Sequence, residues 1–507
     1  MTHRILVILP LLLAAPATAQ AWQPRDPVLR AIHHEATERS QLEPLARALL
    51  DSIGPRLSGS PGQAAAHQWA VARFRDWGIA AEAERYGAWT GWERGPAHVD
   101  LVAPRARTLD ARLLAYARGT DGPVTGPVIV LPDLPDTTAV RKWLATVRGA
   151  WVLASPPPLT CRPVENWQQW ARPETLARLA RETAAADTAW GGRHGIPLAA
   201  LSQALARAGA AGVLTSDWTG GWGTERVHSG TAALPALSVG CEDYGLLARL
   251  AAHGQGPVVR VDAAARATGP VPAENTVARI PGRVADEFVV LSAHFDSWDA
   301  ASGATDNGTG ALVMMEAARI LRTVLPRPRR TIVVGLWGGE EQGLNGSRAF
   351  AEDHADVVAG AQLVLNQDTG TGRIDRISLQ GFPGVAPVLA RWMAQLPSDL
   401  TAGVEVDAPG LPSAGSSDHS SFVCRGVPAL WMLSTSWDYG TYTWHTTRDT
   451  YDKVVFADLR RNAMMVAMLA YLAAEAPQRV DRTPRTDLPA DARGRPGRWP
   501  ACGQAQR

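Results

Sequence analysis

The chain has 507 residues, 46% hydrophobic and 20% charged, a make-up that suits roughly two to four packed domains and excludes a disordered or fibrous protein. Fifty Lys and Arg against 49 Asp and Glu leave a formal charge of +1, so no overall field favours nucleic acid or anionic lipid. Four cysteines are too few for a small disulfide scaffold, and a buried core has to carry the stability.

The first segment holds Arg4, an apolar run over 5–15 and the small-x-small triplet Ala17-Thr18-Ala19, the parts of an export signal cleaved near Gln20. A membrane anchor would need about 20 apolar residues, and Pro10 and Pro16 interrupt this run. No later stretch is apolar enough to span a bilayer, so a periplasmic or secreted protein is expected. In such a compartment Cys161 can pair with Cys241, and Cys424 with Cys502.

Helical spacing follows over 30–77, with Leu45, Leu49 and Ile53 four apart and a turn at Gly59-Ser60-Pro61-Gly62. Short strands are expected at 79–85, 98–102 and 111–116. After Gly122-Pro123 and Gly126-Pro127 a new rhythm begins, with brief strands at 128–131, 149–153, 211–215 and 258–261 and a helix over 198–208. Residues 265–272 read as a linker out of this small α/β unit. From about 275 onward, apolar strands at 288–291, 331–336, 362–365 and 429–433 alternate with helices at 310–325, 385–396 and 458–474. That alternation predicts an α/β fold, a mainly parallel mixed sheet flanked by helices. Beyond Pro477 the chain is rich in Arg and Pro, and an irregular tail is expected.

The chemistry gathers where these strands end, the rim on which open α/β sheets place their sites. The first strand runs into His294-Phe295-Asp296, in which the imidazole can meet a metal and the carboxylate can orient the ring. Asp306 stands twelve residues on, before a helix, where a lone Asp is also an ordinary cap. The second strand leads into Glu340-Glu341, two carboxylates that resist joint burial unless a cation compensates them. One could ligate while its neighbour moves a proton. The third strand leads to Asp368, and His445 stands before the last helix. Two His and three ligating carboxylates on one rim suit a pair of zinc ions bridged by one carboxylate.

The stretches 294–299, 303–310, 337–343, 366–368 and 445–450 resemble the co-catalytic zinc aminopeptidase family, in its plasma glutamate carboxypeptidase (carboxypeptidase Q) branch. The similarity extends to 50–60 and to 235–243, the latter like the end of a protease-associated domain, and covers about residues 25–475. It implies a zinc-dependent exopeptidase fold with these parts: signal peptide 1–19, catalytic domain 20–120 and 269–476, protease-associated insert 121–268, tail 477–507. It implies His294 and Asp368 on one Zn2+, Glu341 and His445 on the other, Asp306 bridging through a cis Asp306–Asn307 peptide, Glu340 as general base, and Asp296 as the partner of His294. Trp444 stands where several relatives carry an oxyanion-stabilising Tyr, which leaves that role open between Tyr439, Tyr442 and the metal.

The expected substrate is a short peptide or dipeptide with a free α-amine. Release of the first residue should be abolished by N-acetylation but not by C-terminal amidation. The opposing polarity would need an arginine such as Arg425 or Arg448 to clamp the carboxylate. Glutaminyl cyclisation and a non-catalytic receptor are the rival uses of the scaffold, and the complete ligand set disfavours the receptor. A serine hydrolase built on Ser416, Ser417, Asp418 and His419 lacks the nucleophile-elbow spacing. No nucleic-acid partner is expected, and a homodimer is left open.

Overall fold

The computed structural model describes residues 22, 24–191, 198–490 and 494–507. The export-signal reading of residues 1–19 lies outside the described residues. Helix Pro27–Glu38 starts where the Asp26 carboxylate accepts from the Val28 and Leu29 N–H groups. Helix Pro61–Asp76 starts where Ser60 accepts from the Gln63 N–H, with Pro61 filling a position that needs no donor. That turn is the one marked in the sequence.

In chain order the strands are β1 (Ala80–Ala103), β2 (Arg107–Thr108), β3 (Ala111–Leu113), β4 (Val124–Val130), β5 (Trp151–Leu153), β6 (Gly212–Thr215) and β7 (Ala236–Val239). They continue as β8 (Val258–Ile280), β9 (Phe288–His294), β10 (Thr331–Trp337), β11 (Ala361–Gln367), β12 (Ile374–Ser378), β13 (Glu405–Asp407) and β14 (Ala429–Ser434). They join edge to edge in the order β13-β12-β14-β11-β9-β10-β8-β4-β5-β6-β7-β3, with β1 alongside β8. β9, β10, β11 and β14 are parallel to their neighbours within this set, and β8 and β12 flank them antiparallel. The mainly parallel sheet expected from the sequence is therefore present.

Every residue of β9 and β11 is buried, as in a strand covered on both faces. Helices Thr309–Val324 and Phe456–Glu475 pack on each other and on β9, while Asn345–Asp353 lies against β10 and His419–Val423 against β11 and β14. One large apolar core runs through these elements, from Leu29 and Ile32 past Val290 and Leu365 to Met468. Trp92, Val99, Leu113, Trp151, Leu237 and Val259 build a second core, and Leu134, Val147 and Leu205 a third.

One boundary differs from the sequence reading. Residues 265–272 are not a linker but lie inside β8, which pairs antiparallel with β1 from Ala80 opposite Arg279 to Ala103 opposite Val258. Pro270 and Pro272 suggested a break; in a two-stranded ribbon the other edge is open, so a missing N–H need not interrupt the ladder. The core of the second unit also draws on residues before 121, from Trp92 to Ala117.

Residues 477–507 form no helix or strand among the described ones. They are nevertheless tied down, by Arg482 donating to the Val358 and Gly426 carbonyls and by Trp499 edge-on to Phe382. Cys161–Cys241 and Cys424–Cys502 are disulfides, at 2.05 and 2.10 Å. Among the described residues no helix is long and apolar enough to cross a membrane.

Candidate active site

Because β9, β10 and β11 run parallel, their C-terminal ends share one rim. β9 delivers His294 as its last residue, and Asp368 follows β11 directly. After β10 the chain turns through Gly338 and Gly339 to reach Glu340 and Glu341. Gly339 has φ +69°, and a Cβ there would sit 2.7 Å from the Tyr86 hydroxyl, so the turn needs glycine. Asp306 comes from the segment ahead of helix Thr309–Val324, and His445 from a loop where its own φ is +61°. The Asp306–Asn307 peptide is cis. All six side chains line one cavity of 390 Å³, together with Thr369, Trp431, Tyr439 and Trp444.

The distances divide them into two groups that share Asp306. His294 Nε2 lies 3.1 Å from Asp368 Oδ1 and 3.2 Å from Asp306 Oδ1. His445 Nε2 lies 3.0 Å from Glu341 Oε2 and 3.2 Å from Asp306 Oδ2. Each triad can converge its ligand atoms on one point, since they lie within 4.8 Å of one another. Asp306 Oδ2 and Glu341 Oε1 are buried without a hydrogen-bond partner, a costly state for carboxylate oxygens that a cation relieves. Two imidazoles with carboxylates and no thiol form the donor set that suits zinc, so the residues present fit two metal ions.

The protonation balance points the same way. Burial pushes Glu340 well above the usual carboxylate range; His294 opposes this, and Asp368 and Asp418 add to it. Burial, reinforced by Asp306, raises Glu341 to about 7. Burial lowers His445, but Glu341 and Asp306 outweigh it and bring the imidazole to about 10. The protons held here stand in for positive charge that the carboxylates require.

The supporting residues depart in part from expectation. The Asp296 backbone carbonyl, not its carboxylate, accepts from His294 Nδ1, at 3.0 Å, while the nearer carboxylate oxygen is 3.7 Å away. That carboxylate instead accepts from the Glu340 and Glu341 N–H groups at 3.1 and 3.2 Å. Asp296 thus steadies the two-glutamate turn as well as the ring. Asp449 accepts from the Thr305 and Asp306 N–H groups. The fully buried Arg56 donates to the Gly54, Phe295, Ser302 and Gly303 carbonyls, fastening the loop before Asp306. These roles were missed because nothing in residue type marks a carboxylate or guanidinium that serves backbone groups.

The second unit also touches the site. The Val227 N–H donates to the His445 carbonyl at 2.7 Å, Thr219 Oγ1 donates to the Thr441 carbonyl, and Arg448 donates to the Gly223 carbonyl. Arg226 lies over Trp444 at 4.9 Å, and Trp444 stacks on His445 at 4.0 Å. Of the two tyrosines considered for the oxyanion, Tyr439 lines the cavity and Tyr442 does not. Neither Arg425 nor Arg448 lines it: Arg425 donates to the Ser421 carbonyl, and Arg448 is taken by Gly223. His419 is buried, stacked on Trp431, with no hydrogen-bond partner for either ring nitrogen, so it activates no serine.

Residues 275–470, which hold all six of these side chains, match the model of peptidase family M28. The chain carries a peptidase family M28 domain. The enzyme class expected from the residues, a metallo-exopeptidase, stands with it. The chain is similar to carboxypeptidase Q of Homo sapiens, 25% identical over 457 residues that cover 89% of each protein. Its fold matches the crystal structure of a peptidase M28 precursor from Shewanella amazonensis SB2B with a TM-score of 0.65, at 23% identity over 90% of this chain and 98% of that one. A zinc aminopeptidase from Bacillus subtilis shares the fold at a TM-score of 0.55, with 17% identity over 87% of this chain and 96% of that one.

Proposed function

We propose that this M28 domain is a di-zinc exopeptidase that removes the N-terminal residue of short peptides or dipeptides. The observation that carries the reading is Asp306, whose two oxygens face two histidines that each have a further carboxylate beside them. His294 and Asp368 would hold one zinc, Glu341 and His445 the other, and Asp306 both. The ions supply Lewis acidity for a carbonyl and a water of lowered pKa. The residues supply the rest. Glu340 takes a proton from the attacking water and returns it to the leaving amine. Asp296 holds Glu340 in place through its N–H, and Tyr439 is the hydroxyl at hand for the oxyanion.

The free α-amine is favoured because Asp306, Asp368 and Glu340 place carboxylates at the ligand cluster, which suit an ammonium there and repel a carboxylate at that end. Residues 121–268 are read as a protease-associated unit that overhangs the cavity. Export to the periplasm or exterior rests on residues 1–19 together with the two disulfides. The test is an unblocked tripeptide and its N-acetylated form with zinc-loaded enzyme. Release of the first residue from the free peptide alone is expected; cleavage of the acetylated form with equal efficiency would refute the polarity.

A further inference from the structure

Arg348 is the one Lys or Arg among the described residues lining the cavity of Glu340 and Glu341. It stands in the first turn of helix Asn345–Asp353, the helix that follows the two-glutamate turn, so one short segment carries both the general base and this cation. Among the described residues its guanidinium has no hydrogen bond and no ion pair.

That state sets it apart from the other buried or half-buried arginines near the site. Arg56 is spent on four backbone carbonyls, and Arg94 forms a two-pronged pair with Asp299 at 2.7 and 2.8 Å. The acid one turn along the helix from Arg348 is Glu352, and it is engaged elsewhere: it accepts from Arg507 at 3.1 Å and from the Ala505 N–H at 3.3 Å. Behind Arg348 lies the backbone of Gly503, next to the Cys424–Cys502 bridge. A Cβ on Gly503 would come within 2.6 Å of the guanidinium carbon. The side chain is thus backed by residues 502–507 and faces a cavity that otherwise presents carboxylates and imidazoles.

An arginine fork held in this way suits a carboxylate, which it can meet with two parallel N–H donors. The cavity is then acidic around the catalytic residues and basic at Arg348, the charge pattern of a zwitterion with its ammonium at one end and its carboxylate at the other. Its volume of 390 Å³ suits a ligand of very few residues.

We propose that Arg348 is the receptor for the substrate's C-terminal α-carboxylate. The proposal rests on the exopeptidase reading and adds the recognition of the second end. Amidation should weaken turnover without abolishing it, because the amine end and the chemistry are untouched.

The experiment compares a neutral dipeptide as free acid and as C-terminal amide, with wild-type, Arg348→Met and Arg348→Lys enzyme. The wild type is expected to prefer the acid. Arg348→Met should lose roughly 10- to 100-fold in kcat/KM on the acid, at least tenfold more than on the amide. The loss should reside in KM, since the contact is made before and during reaction alike; Arg348→Lys should fall between the two. Equal losses on acid and amide, or a wild type indifferent to amidation, would overturn the proposal. Binding of both ligands to Glu340→Gln protein, read by calorimetry, separates the two readings. If wild-type enzyme cleaves neither ligand but the acid binds more tightly through Arg348, the exopeptidase reading fails and the carboxylate site stands. Equal affinities, unchanged by adding Arg348→Met, would remove the site.

Discussion

Glu340 and Glu341 are neighbours whose side chains meet different surroundings. Glu341 reaches His445, whereas Glu340 lines the cavity with no ion pair to either histidine among the described residues. Glu340→Gln is therefore expected to keep its zinc and lose roughly 10²- to 10⁴-fold in kcat, and Glu341→Gln to lose metal as well; elemental analysis beside turnover checks both. Tyr439→Phe should lower kcat by about 10²-fold with KM nearly unchanged if its hydroxyl meets the oxyanion. Burial depresses His67 to about 4 and His419 to about 3. The unfolded chain binds these protons near pH 6.5 and the folded one does not. Their contribution is thus fully present above pH 6.5 and is lost as pH falls toward 4. His419→Phe, which keeps a ring against Trp431, should flatten the fall of the melting temperature between pH 6.5 and 4; parallel curves for variant and wild type would refute this. The candidate ligands were legible because each pairs a chelating residue type with a strand end or a loop of recognisable spacing. Arg348 was not, since all but two of the 50 basic residues are arginines and nothing local distinguishes this one.

At the scale of elements, the segment 217–227 is a prop for the His445 loop, through the Val227 N–H, Thr219 and the Arg226–Trp444–His445 stack. Loss of the Arg226 side chain should let that loop relax. Arg226→Ala is accordingly expected to release zinc to a chelator several-fold faster than wild type, with helix and sheet content unchanged by circular dichroism. Equal release rates would show that the loop holds itself. The central strands could be read from the sequence because full burial makes them continuous apolar runs. β1 and β8 were read only in part, at 79–85, 98–102 and 258–261, since a ribbon with an open edge tolerates in its middle the Gly, Pro and charged residues that ordinarily signal turns. The contacts of 217–227 lie more than 200 residues from their partners in the chain, and no local pattern reports them.

Considered whole, the molecule gathers four carboxylates, Asp306, Glu340, Glu341 and Asp368, into one cavity. Removing metal should therefore destabilise the fold as well as stop the reaction. A chelated sample is expected to melt several degrees lower and to recover with two equivalents of zinc per chain. An unchanged melting temperature, or recovery complete at one equivalent, would contradict the two-ion reading. Among the described residues the chain passes between the catalytic sheet and the second unit twice, along β1 and along β8, and these two crossings are hydrogen-bonded to each other over most of their length. No loop intervenes where a hinge could turn. Any rocking of the second unit has to be absorbed as torsion of that ribbon, at the register shifts beside Gly87 and Gly91, so the two units are joined by a strap that twists and not by a joint that swings.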